Sequence, residues 1–135
     1  MFPKFNDYCQ VLADLPTRFT IIKTSTLQAY TIGKYIAEVE GKLTFTQGYT
    51  LNIWELLDLS DQMIRKYSYE LDQNGRRVWW YDPMAHPEKP SLQLSFPHHK
   101  HVHPNIKQNR IPAPEISFTE PNLPFLLMEI EGLLK

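Results

Sequence analysis

The sequence predicts a single α+β domain, residues 1–135, in which an antiparallel sheet is flanked by an N-terminal and a C-terminal helix. Three observations lead to this prediction. Apolar residues recur with helical spacing at both ends of the chain, residues 19–82 are rich in β-branched and aromatic residues, and the turn dipeptide Asn74-Gly75 separates two alternating runs. The 135 residues suit one domain. The expected sheet is a meander of about four or five strands.

Residues 1–18 are predicted to form the first helix. Asn6 or Asp7 can cap its start, and Pro16 is expected to end it. The apolar residues that recur every three or four positions are Phe5, Tyr8, Leu12 and Leu15.

The sheet is expected over residues 19–82. Ala37 and Val39 alternate with polar neighbours, and Glu40-Gly41 is interpreted as a turn, so that Leu43 and Phe45 would lie on a returning strand. Residues 49–58 fit either a strand or one or two helical turns, with the strand favoured.

The clearest hairpin joins residues 66–72 to residues 78–81. Its apolar positions alternate with polar ones, and Asn74-Gly75 can adopt the positive φ angles of a tight turn. After this hairpin the character of the chain changes, because nine of its eleven prolines lie from Pro83 onward. Residues 83–122 are therefore expected to form a long, extended or irregular segment rich in proline and histidine.

The last predicted element is a helix over residues 123–135 that packs on the sheet. Glu129 and Glu131 lie outside its apolar stripe. The residues that form the stripe are Leu126, Leu127, Ile130, Leu133 and Leu134.

The net charge of −1 is unevenly distributed. Residues 86–111 carry +3 and all five histidines, whereas residues 112–135 carry −3. The single cysteine, Cys9, excludes an internal disulfide framework and any cysteine-rich zinc module. The sequence shows neither a secretory signal pattern nor an apolar run long enough to cross a membrane, so a cytoplasmic protein is expected. Phosphate-binding loop, nucleophile elbow and HExxH signatures are also missing.

The strongest candidate for chemistry is the segment 96–104, FPHHKHVHP. If it is extended, His99, His101 and His103 share one side, and His98 and Lys100 share the other. Three neutral imidazoles on one side can bind zinc or a similar metal. Alternatively, an imidazole and an imidazolium can act as general base and acid on a phosphodiester. A solvated loop without a ligand remains an equally simple interpretation.

The hairpin adds candidates for binding a nucleic acid. Its aromatic residues can stack on unpaired bases, although most residues of this kind are part of a core. Asp82, which follows the last strand, can orient a histidine or act as an acid. The cations are Arg65, Lys66, Arg76 and Arg77, and the aromatic residues are Tyr67, Tyr69, Trp79, Trp80 and Tyr81.

The motifs YSY (67–69), WYD (80–82), AHP (85–87) and FPHHKHV (96–102), followed by a helix rich in Leu and Glu, resemble those of the TumE toxins of bacterial and archaeal toxin-antitoxin systems. This resemblance spans roughly residues 19–134. It implies a toxin acting on RNA, with a helix-turn-helix antitoxin as its partner in a hetero-oligomer. The sheet-and-helix arrangement is similar to that of RelE-like ribonucleases.

The first hypothesis is therefore a toxin of a type II system that cleaves RNA by metal-independent histidine catalysis, without a cofactor. His98 or His99 would be the general base and His101 the general acid, while Lys100 and Arg65 would neutralise phosphate charge. Tyr67 and Asp82 would position the reacting groups. The residues expected to bind substrate are Tyr69, Arg76, Arg77, Trp80 and His86. The alternative is a non-catalytic interaction module in which His99, His101 and His103 bind zinc or another divalent metal.

Overall fold

The computed structural model describes residues 1–85 and 88–135, and for Leu94 the backbone but not the side chain. Within these residues, two helices flank one antiparallel sheet of eight strands. The predicted α+β architecture is confirmed, whereas the expected number of strands was too small. The helices are α1 (Phe5–Arg18) and α2 (Leu123–Leu133), and the strands are β1 (Thr24–Ser25), β2 (Gln28–Ile32), β3 (Ile36–Thr44), β4 (Tyr49–Asp58), β5 (Met63–Gln73), β6 (Arg76–Asp82), β7 (His99–His101) and β8 (Arg110–Pro112).

The first helix has different ends from those predicted. Lys4 is its N-cap residue, so Asn6 and Asp7 lie inside the first turn. Asp7 nevertheless places a negative charge near the positive end of the helix dipole. Pro16 lies inside the last turn, and the helix continues to Arg18 before it ends.

The largest error in the predicted sheet concerns Glu40-Gly41, which is not a turn. Strand β3 runs through both residues, and its edge pairs first with β2 and then with β1. Gly41 lies where the edge partner changes, with φ +139°, and a Cβ there would be 2.6 Å from the carbonyl oxygen of Thr26. The glycine therefore permits close approach of two backbones within one long strand.

The central strands agree with the sequence prediction. Residues 49–58 form β4, and β5 and β6 form the predicted hairpin. Asn74 and Gly75 have φ values of +50° and +82°, as a tight primed turn requires. The segment 83–122 is less irregular than expected, because β7 and β8 extend the sheet and residues Pro90–Ser95 form a 3₁₀ helix.

Both helices pack on the same face of the sheet. Leu12 and Leu15 of α1 and Leu126 and Ile130 of α2 are buried in a single apolar core, which confirms that the C-terminal helix packs on the sheet. Two hydrogen bonds tie the helices to the strands beneath them: Tyr8 of α1 donates to Glu55 of β4 at 2.5 Å, and Tyr81 of β6 donates to Glu129 of α2 at 2.8 Å. The opposite face of β6 and β7 carries the residues of greatest chemical interest.

Candidate active site

The register between β6 and β7 brings four predicted site residues together. Asp82 pairs with His99, and Trp80 pairs with His101. Because alternate residues of a strand point to the same side, these four side chains share the face opposite the two helices. The cluster is defined here as Asp82, His99 and His101, and Trp80 borders it.

Two imidazole nitrogens and both carboxylate oxygens converge in this cluster. His99 Nε2 lies 2.9 Å from Asp82 Oδ1, and His101 Nε2 lies 3.3 Å from Asp82 Oδ2. The two Nε2 atoms are 3.2 Å apart. His99 is 1% exposed and His101 is 4% exposed, so protein atoms rather than water surround the imidazoles.

Backbone carbonyls fix the orientation of both imidazoles. His99 Nδ1 is 3.2 Å from the carbonyl oxygen of Pro97, and His101 Nδ1 is 3.0 Å from that of Ile106. Since a carbonyl oxygen only accepts, each Nδ1 carries a proton and donates it. In a neutral imidazole the Nε2 atom then holds only a lone pair. Two such lone pairs facing a carboxylate repel it, and a proton or a metal ion among them removes this repulsion.

The carboxylate of Asp82 is itself held in place. The indole Nε1 of Trp80 donates to it at 3.0 Å, and the backbone N–H of Met84 donates at 2.9 Å. Burial alone would raise the pKa of Asp82, but hydrogen bonds from His99 and from the Met84 backbone lower it to about 2. Asp82 is therefore ionised at neutral pH. Burial lowers the pKa of His101.

Asp82 connects the cluster to a surface groove of about 470 Å³. Two cationic side chains, Arg65 and Lys66, line this groove together with Tyr67, Met84 and Phe118. The guanidinium of Arg65 forms an ion pair with Asp58 and remains about half exposed. The groove thus combines positive charge and aromatic surface beside the buried imidazoles.

His98 contacts two residues that line this groove, Tyr67 and Phe118. Its Nδ1 is 2.6 Å from the hydroxyl of Tyr67, and its ring packs on Phe118 with the centroids 4.5 Å apart. Burial, followed by the nearby His99, lowers the pKa of His98. Ser95 fixes the backbone here, because its hydroxyl donates to the carbonyl oxygen of His98 and accepts from the N–H of Ala113.

The structure separates two other predicted residues from the cluster. Lys100 lies on the helix face of the sheet, where its ammonium is 2.5 Å from Glu129 and about 5.3 Å from the centroids of the Trp79 and Tyr81 rings. His103 turns away, and its Nε2 is 2.7 Å from the carbonyl oxygen of Arg77. Asp82, not His103, is thus the third member of the histidine cluster among the described residues.

The predicted substrate-binding residues are found in different environments. Tyr69 is fully buried, donates to Glu55 at 2.5 Å and contributes to the core. Arg77 is held by Glu70 and Asp72, whereas Arg76 is exposed near the hairpin tip. Trp80 stacks on His101 at 3.9 Å between ring centroids. His86 lies outside the described residues.

The sequence pattern missed Met84, whose backbone N–H helps to hold Asp82, and Phe118, which packs on His98. Met84 contributes only a backbone N–H and Phe118 only a packing surface, and neither has a reactive side chain. Residue type alone therefore did not identify them as part of the site.

Comparison with protein families settles the relationship that the motifs indicated. The family model described as toxin TumE matches residues 10–134, which is nearly the whole chain. The chain belongs to the TumE toxin family. No curated protein and no solved structure matches it.

Membership of the TumE family supports a toxin of a toxin-antitoxin system, with an antitoxin as its partner. In this TumE chain the cluster and the groove both lie within the matched residues. No helix in the described part of the chain is long and apolar enough to span a membrane.

Proposed function

We propose that this TumE toxin is an endoribonuclease that binds RNA in the groove and cleaves it by histidine general acid-base catalysis. One observation carries the proposal: the Nε2 atoms of His99 and His101 converge on Asp82, whose side chain lines a groove with Arg65 and Lys66. This arrangement places two imidazole nitrogens close to a site where a phosphate can bind.

The proposed reaction is an internal transesterification. The 2′-oxygen of a ribose attacks the adjacent phosphorus, a base removes the 2′-hydroxyl proton, and an acid protonates the departing 5′-oxygen as its bond to phosphorus breaks. The products are a 2′,3′-cyclic phosphate and a 5′-hydroxyl. Such proton transfers each contribute roughly 10²- to 10⁴-fold to the rate.

His98 is the better placed of the two predicted bases. Tyr67 lines the groove, and its hydroxyl is 2.6 Å from His98 Nδ1, so a proton taken at the hydroxyl can pass to the imidazole. Burial raises the pKa of Tyr67, which keeps the phenol protonated until that transfer. His101 is the proposed acid, because its Nε2 lies 3.2 Å from that of His99 and 3.3 Å from the carboxylate of Asp82.

We assign the neutralisation of the phosphate charge to Arg65 and Lys66. Both line the groove, whereas Lys100 lies on the opposite face of the sheet and contacts Glu129. We therefore leave Lys100 out of the proposed active site. Because such phosphate contacts release counterions, RNA binding should weaken as the salt concentration rises.

The test measures both the growth of cells that express the protein and the amount of RNA in them. Wild-type protein induced without its antitoxin should arrest growth and deplete cellular RNA, and His99→Ala or His101→Ala should relieve both effects. His103→Ala is the matched control, since this histidine lies outside the cluster, and it should remain toxic. Equal toxicity of all variants would contradict the site, and a harmless wild type would contradict the toxin function.

A second candidate is a non-catalytic interaction module that binds another protein. The observation that favours it is the burial of His99 and His101, which is more typical of a structural cluster than of residues in contact with RNA. On this alternative, purified protein cleaves no RNA under any metal condition, and the cluster variants lose thermal stability without losing an activity.

A further inference from the structure

We infer that Asp82, His99 and His101 form a binding site for one divalent cation of the zinc type, and that this cation inhibits the toxin by occupying the Nε2 atom of the proposed general acid. The first part stands on geometry alone. The inhibitory part rests on the proposed function.

The spacing of the three ligand atoms suits a tetrahedral ion. With zinc bonds of about 2.0–2.1 Å, ligand atoms at tetrahedral angles lie about 3.3 Å apart. The Nε2 atoms of His99 and His101 are 3.2 Å apart, and each lies near a different oxygen of Asp82, at 2.9 Å and 3.3 Å. Each of these separations is within a few tenths of an ångström of the tetrahedral spacing.

The outer contacts are also those of a metal site. Metal-binding histidines commonly donate their other ring N–H to a carbonyl, which fixes the tautomer and directs the lone pair inward. His99 does so to Pro97, and His101 does so to Ile106. The Trp80 indole holds the carboxylate of Asp82 in the same way. Each ligand is therefore oriented before any ion arrives.

The donor set selects the class of ion. Two imidazole nitrogens and one carboxylate oxygen suit zinc and similar transition metals better than magnesium or calcium, which prefer oxygen ligands. Three protein ligands leave a fourth position for water or a phosphate oxygen. His103 is not needed, because its Nε2 contacts the carbonyl oxygen of Arg77.

The metal and the proton exclude each other. Each Nε2 has one lone pair, and a lone pair that coordinates a metal cannot hold a proton. A loaded cluster therefore lacks the general acid assigned to His101. The free and the loaded forms are therefore two alternative states of one site.

The binding experiment uses full-length protein without an affinity tag, freed of metal with a chelator and then titrated with Zn²⁺ by calorimetry and with Co²⁺ by absorption spectroscopy. Wild type should bind one equivalent, and Co²⁺ should give the intense visible bands of a tetrahedral site. His99→Gln and His101→Gln should abolish this binding, while His103→Gln should bind within about twofold of wild type. Trp80→Phe should bind roughly 10- to 100-fold more weakly.

The inference is overturned if wild type binds neither ion, or if His103→Gln lowers the affinity as much as His101→Gln does. Circular dichroism checks that the variants fold. If the cluster variants do not fold, the metal affinity of Trp80→Phe is compared with that of wild type, because Trp80 is not itself a ligand. Equal affinities would then overturn the inference.

A separate measurement tests inhibition. Saturating Zn²⁺ should reduce RNA cleavage by wild type at least tenfold, and a chelator should restore it. Cleavage that is unchanged in the loaded protein, or that requires zinc, overturns the inhibitory part. Failure to cleave RNA in either state contradicts the proposed function instead, and the binding experiment still tests the metal site.

Discussion

Trp80→Phe is the substitution that probes the cluster without touching its ligands. The change removes the indole N–H that donates to Asp82 at 3.0 Å but keeps an aromatic ring to stack on His101. A hydrogen bond to a charged group contributes about 1.5–3 kcal/mol. Since the side chain of Asp82 is 23% exposed, water can replace part of this bond. We therefore expect Trp80→Phe to lower the free energy of unfolding by about 1–2 kcal/mol.

The assay is urea unfolding followed by far-ultraviolet circular dichroism, with metal-free protein. Trp80→Ala serves as the comparison, because it removes both the hydrogen bond and the stacking on His101. Trp80→Ala should lower the free energy of unfolding by about 2–4 kcal/mol, and the lower value applies because the ring is partly exposed. Equal stability of Trp80→Phe and wild type would refute the claim that the indole N–H holds Asp82. Equal losses in both variants would show that the smaller ring is not accommodated.

Three further predictions concern the rest of the molecule. Tyr69→Phe should lower the free energy of unfolding by about 1.5–3 kcal/mol in urea, because it removes a hydrogen bond to the buried carboxylate of Glu55. A hydrogen bond from the Asp61 backbone N–H, followed by one from Arg65, lowers the pKa of Asp58, so the stabilisation by this carboxylate is present above about pH 4 and is lost as the pH falls. The melting-temperature difference between Asp58→Asn and wild type should therefore shrink in acid. Lys100→Met should retain RNA cleavage in purified protein, whereas loss of cleavage without unfolding would return Lys100 to the active site.

Much of the fold follows from local sequence patterns. The hairpin was predictable because Asn74 and Gly75 tolerate positive φ and the alternating positions around them are buried on one face. The role of Gly41 was not predictable, because a glycine that admits a neighbouring backbone has the same local signature as a glycine in a turn. Strands β7 and β8 have three residues each, and β7 pairs with β6 while β8 pairs with β7, so they give no periodic signal of their own.

The candidate site was predictable in composition but not in arrangement. Alternation along an extended segment places His99 and His101 on one side, as the structure shows. The same rule placed His103 with them, and it fails because β7 ends at His101. Asp82 joins the cluster through the register of β6 against β7, a contact between distant segments that local sequence does not encode.

Histidine catalysis on RNA is tested by cleavage of a matched pair of oligonucleotides, one all-ribose and one with 2′-deoxyribose at the cleaved position, with purified, untagged, metal-free protein. Wild type should cleave only the ribose substrate and leave a 2′,3′-cyclic phosphate, and folded His101→Gln should lose at least about 100-fold in rate, as expected when a general acid is removed. Cleavage of both substrates, or cleavage by His101→Gln at the wild-type rate, would contradict the proposed reaction.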